Sequence, residues 1–298
     1  MLVILLTFFL FATGIFVNKQ LLFVLPPTLL VGIRMFASGI ILALFSYKQR
    51  NSLKNLYADR FSLLLIALLT VLFPALLKAY ALSKLSAGQT ALLSSVDPFV
   101  TAFYAYIIWH EKMSPTKIIG ILFGCIGTWI TITIPYHDVL CMQTILPQLA
   151  VLASVSFGRL GWIMVRMLLK KDLYSGPQLN SVIMTLCGSI ALVMSLFIDN
   201  YEAIAIPSVG RFVFLLIFTV LVGNVGGYTL YAHIIKHYNI TLISLAGFSV
   251  PLFVSLYDLI FTGRSLTLNF IYAVALLFSG LLIFYSDELK KKKMFAVK

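Results

Sequence analysis

Residues 2–24 read LVILLTFFLFATGIFVNKQLLFV, with Lys19 the one formal charge among them. About 20 predominantly apolar residues in a row are what a helix needs to cross the hydrocarbon of a bilayer. No basic segment precedes the run and no A-x-A-like cleavage pattern follows it, so we expect a first span rather than a signal peptide. Pro26 and Pro27 close it, and a second apolar run follows at 28–47. Further runs cover about 61–83, 87–109, 115–134, 144–167, 179–198, 211–233, 240–261 and 268–286. They are continuous rather than alternating and too long for barrel strands. The expected fold is an all-α integral membrane protein of ten transmembrane helices.

Composition agrees. Of 298 residues, 61% are hydrophobic and 11% charged, against about 45–50% and 25% in soluble domains. No single water-soluble core buries that excess. Ten spans take about 200 residues, leaving short connections and no room for a separate soluble domain. The formal charge of +12 does not point to nucleic acid, because no basic domain or aromatic-basic motif carries it. With the N-terminus inside, 15 of the 22 Lys and Arg fall on inner segments, five of them in the tail at Lys290, Lys291, Lys292, Lys293 and Lys298. Four fall on outer segments, and Arg34, Lys78 and Arg159 lie within spans. That bias sets both termini in the cytoplasm. Cys125, Cys141 and Cys187 show no zinc-like spacing, so neither a disulfide framework nor a metal site is expected, and no cofactor motif is present.

Sliding the chain by 153 residues places Pro98 on Pro251, Tyr104 on Tyr257 and Gly127 on Gly280. In both halves a mid-span proline is followed by a polar turn and a helix rich in small residues. The expected division is 1–138 and 139–298, five spans each. An odd number of spans per half makes the halves enter the membrane from opposite sides, the inverted repeat of alternating-access carriers with a site near the midplane.

The stretches Ala79-Tyr80-Ala81-Leu82, Ser95-Val96-Asp97-Pro98-Phe99-Val100-Thr101-Ala102 and His110-Glu111-Lys112, with the Gly120, Gly124, Gly127 helix and Arg34, resemble the EamA-type ten-helix carriers of the drug/metabolite transporter superfamily. After the ninth span the family often repeats a glutamate, where this chain has Arg264. The resemblance implies a carrier in a bacterial inner membrane. It also implies a solute among amino acids, nucleotide sugars, S-adenosylmethionine and drugs, and names a mechanism class rather than a substrate.

Charges within spans are costly and therefore informative. Arg34, Lys78 and Asp258 are placed in the outer third of the bilayer, Asp97 and Arg159 near its middle. Thr90, Ser94, Asp97, Thr101 and Tyr104 recur at intervals of four and three, one face of a helix. Such a polar stripe faces protein or a watery cavity; its hydroxyls either line that cavity or bond to neighbouring helices. Asn224, Tyr228 and Tyr231 form a shorter stripe, interleaved with Gly223, Gly226 and Gly227. They either orient a flat or zwitterionic solute or serve packing and interface anchoring. Arg159 either clamps a carboxylate or phosphate, or pairs with Asp97 or Asp258. Arg34 and Lys78 either face the solute or snorkel to headgroups. Three internal cations against two anions favour a solute with a negative group.

Pro98 and Pro251 are placed at matched kinks suited to gating, with Glu111 at the cytoplasmic end. Gly120 and Gly124, and the ridge Ala150, Ser154 and Gly158, read as packing devices. The expected function is a carrier working by alternating access on a small organic metabolite, an amino acid or S-adenosylmethionine- or nucleotide-like solute. It works as a monomer or homodimer, with Asp97 available to a coupling proton. The alternatives are a multidrug or cation exporter of the same fold, or a membrane enzyme using His110, His233 and His237, for which no HExxH, nucleophile elbow or Walker motif exists.

Overall fold

Inside a bilayer a helix closes every backbone hydrogen bond within one segment, and among the described residues every regular element is helical. The computed structural model describes residues 2–46, 60–110, 114–133, 142–170, 174–201, 204, 206–238, 243, 246–263 and 268–284. The first two helices are α1 (Leu2–Leu21) and α2 (Pro27–Ser46). Next, α3 (Arg60–Ala67) runs through a π-helical segment (Leu68–Leu72) into α4 (Phe73–Lys84). Then come α5 (Ala87–Ser94), α6 (Asp97–Trp109) and α7 (Pro115–Thr133). The second half holds α8 (Met142–Lys170) and α9 (Gly176–Ile198). There α10 (Val209–Phe218) passes through a second π-helical segment (Thr219–Gly226) into α11 (Gly227–His237). Finally come α12 (Ser249–Thr262) and α13 (Leu268–Phe284).

Among the described residues, seven helical stretches are long and apolar enough to cross a membrane. Shorter apolar helices, Pro115–Gly127, Ser249–Phe261 and Ile271–Phe284, stand where the other three spans were expected. Large apolar side chains such as Phe45, Phe197, Phe214 and Ile260 point outward, as the bilayer allows.

The fourth run, expected as one helix over 87–109, is broken. A turn at residues 95–96 separates α5 from α6, so Asp97 and Pro98 open a new helix instead of kinking an old one. Proline is tolerated in a first turn, where its missing N–H has no partner to lose, and a carboxylate is favoured there by the helix dipole. Ser86 caps α5, its Oγ accepting from the Gln89 amide at 3.1 Å.

Each π segment widens one turn, and a side chain of a neighbouring helix lies against a carbonyl there. The Cys187 thiol donates to the Ala67 carbonyl at 3.1 Å, and the Ser38 hydroxyl reaches the Val220 carbonyl at 3.5 Å. Glycines bring helices close. On α2, a Cβ at Gly32 would strike Leu192 and one at Gly39 would strike the Thr185 backbone. On α7, a Cβ at Gly120 would come within 2.6 Å of the Gly280 carbonyl oxygen, and one at Gly127 within 3.3 Å of the Ala273 carbonyl oxygen. Thus α2 packs on α9 and α7 on α13, while α8 packs on α4 to α6, and α1 on α11 and α12. The largest buried cluster, including Met35, Ile66, Trp162, Ile183 and Tyr231, lies beside a cavity bounded by these helices.

Candidate functional site

The cavity holds about 270 Å³, near the lower end of small-molecule sites, about 300–1,000 Å³. Its charged lining is Arg34, Lys78, Asp97 and Arg159. The Asp97 side chain sits on the first residue of α6, aimed at α8. There Arg159 Nε donates to Asp97 Oδ1 at 2.8 Å, Nη2 pairs with Oδ2, and Nη1 donates to the Tyr231 hydroxyl at 3.3 Å. The guanidinium expected to face either a solute or an internal anion is therefore engaged by protein in a two-pronged pair.

The other two cations differ. Arg34, on α2, is 8% exposed and its Nε has no hydrogen-bond partner. Lys78, on α4, is half-buried and faces the same space. Among the described residues neither has a carboxylate partner.

The same lining carries an aromatic cluster. Trp162 and Tyr231 meet edge to face with ring centroids 4.6 Å apart, and Trp162 lies 5.9 Å from Tyr228. Phe11 adds contacts at 5.7 Å to Tyr228 and 5.5 Å to Tyr231, and Phe8 one at 6.3 Å to Tyr231. Asn224 Nδ2 donates to Ser38 Oγ at 3.1 Å. This turns the amide of the second π segment toward α2 while leaving it in the lining.

Of the residues singled out from sequence, Arg34, Lys78, Ser94, Asp97, Pro98, Arg159, Asn224, Tyr228 and Tyr231 line the cavity. Thr101, Asp258 and Pro251 are not part of that lining. The Thr101 hydroxyl donates back to the Asp97 carbonyl at 2.8 Å, Asp258 is half-buried on α12, and Pro251 is buried. The five-residue stripe on the fourth run divides because the helix breaks within it. Thr90 donates to the Ser86 carbonyl at 2.9 Å and Tyr104 to the Ser156 carbonyl at 3.2 Å. Glu111 lies outside the described residues. Phe8, Phe11, Asn18 and Trp162 are lining residues that the sequence reading missed. Their signal was spacing: Phe8, Phe11, Ile15 and Asn18 follow intervals of three and four, and Trp162 stands three residues beyond Arg159. Among the described residues no group of His, Cys, Asp and Glu could hold a metal ion.

A half-open polar and aromatic pocket within a bundle of membrane helices accords with what the chain matches. Residues 1–133 match the EamA-like transporter family. The whole chain is similar to the S-adenosylmethionine/S-adenosylhomocysteine transporter of Chlamydia trachomatis serovar L2, at 21% identity over 287 residues, covering 95% of this chain and 88% of the relative. A transporter with the same description from Chlamydia muridarum is 20% identical, with 95% and 90% covered. A protein of known crystal structure shares the fold, with a TM-score of 0.72 at 12% identity over 97% of each chain. The chain is thus a multi-pass integral membrane transporter of a small metabolite, not an enzyme, and its bacterial relatives fit an inner membrane.

Proposed function

We propose that the chain is an alternating-access carrier for a small organic metabolite with an anionic group, and that the solute is of the S-adenosylmethionine/S-adenosylhomocysteine kind. The observation that carries this reading is that Arg34 and Lys78, without a carboxylate partner among the described residues, line one cavity together with an aromatic cluster. The cations suit the carboxylate of an amino-acid end; Trp162, Tyr228 and Tyr231 suit a flat base. The description of the relatives points the same way.

The mechanism follows from ten spans in two inverted halves, 1–138 and 139–298, with both termini cytoplasmic. Matched contacts support the repeat. Gly32 meets Leu192 while Gly39 meets Thr185, and residues 32 and 185, like 39 and 192, are 153 apart. Gly120 meets Gly280 while Gly127 meets Ala273, again the same shift in both directions. The Ala67 and Val220 carbonyls, each approached by a side chain at its π segment, are also 153 apart. Reciprocal contacts of this kind are what a two-fold axis between the halves produces, and the odd span number tips that axis into the membrane plane.

Uptake into liposomes bearing the purified chain tests the reading, with labelled S-adenosylmethionine, S-adenosylhomocysteine, amino acids, nucleotides and a cationic dye supplied in turn. The expected result is saturable uptake of an adenosyl amino acid. Uptake of the dye alone would instead favour a multidrug exporter. A pH gradient that leaves rate and accumulation unchanged removes a coupling proton from the scheme.

A further inference from the structure

Resting on the carrier reading, we propose that Arg34 and Lys78 set the net charge of the solute. The cavity admits a zwitterion or anion bearing a flat ring and disfavours the otherwise identical solute that carries one more fixed cation. Four charged side chains line the cavity. Asp97 and Arg159 neutralise each other, leaving two positive charges facing the same space. Arg34 is held there more than nine-tenths buried with Nε lacking a hydrogen bond, so a solute anion satisfies a group that protein leaves open. A charge removed from water interacts more strongly than one in bulk, and an added solute cation meets both side chains at that strength.

The aromatic cluster is the opposing consideration, since ring faces attract cations. Here the rings are largely used on one another: Trp162 meets Tyr231 at 74°, and Phe8 meets Tyr231 at 76°. Trp162, Tyr231 and Phe8 are each under 10% exposed. Ring quadrupoles reached partly at their edges do not offset two full charges, so repulsion prevails.

S-adenosylhomocysteine and S-adenosylmethionine form the discriminating pair, differing by one methyl that turns a neutral thioether into a sulfonium. In liposomes containing the full chain, kcat/KM for the thioether should exceed that for the sulfonium by about tenfold, the effect of one unit charge felt across about 12 Å at an effective dielectric of about 20. Lys78→Met, which keeps bulk at a half-buried position, should shrink the ratio to about threefold or less, and Lys78→Arg should preserve it. Equal or better transport of the sulfonium by the unaltered chain overturns the proposal while leaving the carrier reading intact. If neither compound moves, it is the assigned solute that fails. The charge rule is then decided by binding to the detergent-solubilised chain. AMP held about tenfold tighter than adenosine upholds it, and equal binding overturns it.

Discussion

An arginine paired with an aspartate beside a cavity is neither a surface ion pair nor a sealed one. Arg159 is 6% exposed and the Asp97 side chain 28%, so water reaches the carboxylate side. Removing one partner of a buried pair typically costs about 3–5 kcal/mol, most of it from the stranded charge. Here hydration of the survivor should hold the loss below that range. We expect Asp97→Asn and Arg159→Gln each to lower the thermal midpoint of the detergent-solubilised protein. The double variant should recover most of that loss, because it strands no charge. If the double variant is as unstable as the sum of the singles, the two residues do not act as a pair. The sequence placed both residues near mid-membrane and left open whether Arg159 faces a solute or an anion. Only the register between α6 and α8 decides that, and register is a tertiary property. The aromatic partners Phe8, Phe11 and Trp162 escaped notice for a related reason. In a run such as residues 2–24, nearly every residue is apolar, so composition does not mark which face turns inward.

At the scale of the element, hydropathy found most helical runs within a few residues but not their interior irregularities, and the ninth, expected over 240–261, is a described helix only over Ser249–Thr262. The break at residues 95–96 was foreshadowed by Asp97-Pro98, a helix-opening pair that also reads as a kink. The π segments carry no comparable mark, since their partners lie on other helices: the Cys187 thiol donates to the Ala67 carbonyl, and Asn224 of the second segment donates to Ser38. Glycine positions, by contrast, translate directly into contacts. A Cβ at Gly120 would lie near the Gly280 carbonyl and the Phe284 backbone, atoms that cannot swing aside. Gly120→Leu should therefore separate α7 from α13 and sharply lower the yield of folded protein. At Gly210 a Cβ meets nothing within 4 Å, so Gly210→Ala should leave both yield and thermal midpoint unchanged. Size-exclusion profiles of the two variants check this, and a normal profile for Gly120→Leu would mean that the helices do not rely on the close approach.

For the molecule as a whole, a central cavity does nothing for transport unless it opens to each side in turn. A population of molecules divided between two such states is shifted by a ligand only to the extent that it binds them unequally. Ser94 offers a reporter. It lines the cavity on α5, and its hydroxyl is bonded only to its own helix among the contacts seen, at 2.7 Å to the Thr90 carbonyl, so a thiol replaces it with little change in shape. In a background of Cys125→Ser, Cys141→Ser and Cys187→Ser, which keeps a donor for the Ala67 carbonyl, Ser94→Cys gives a single thiol. A membrane-impermeant thiol reagent applied to right-side-out and to inverted vesicles should modify it from both faces if the halves rock. Adding S-adenosylhomocysteine should slow both reactions by occupying the cavity, and should change their ratio if the solute favours one state. Reaction from one face only, whatever is added, would describe a fixed pocket with a single mouth. The matched glycine contacts would then have no part in a moving device.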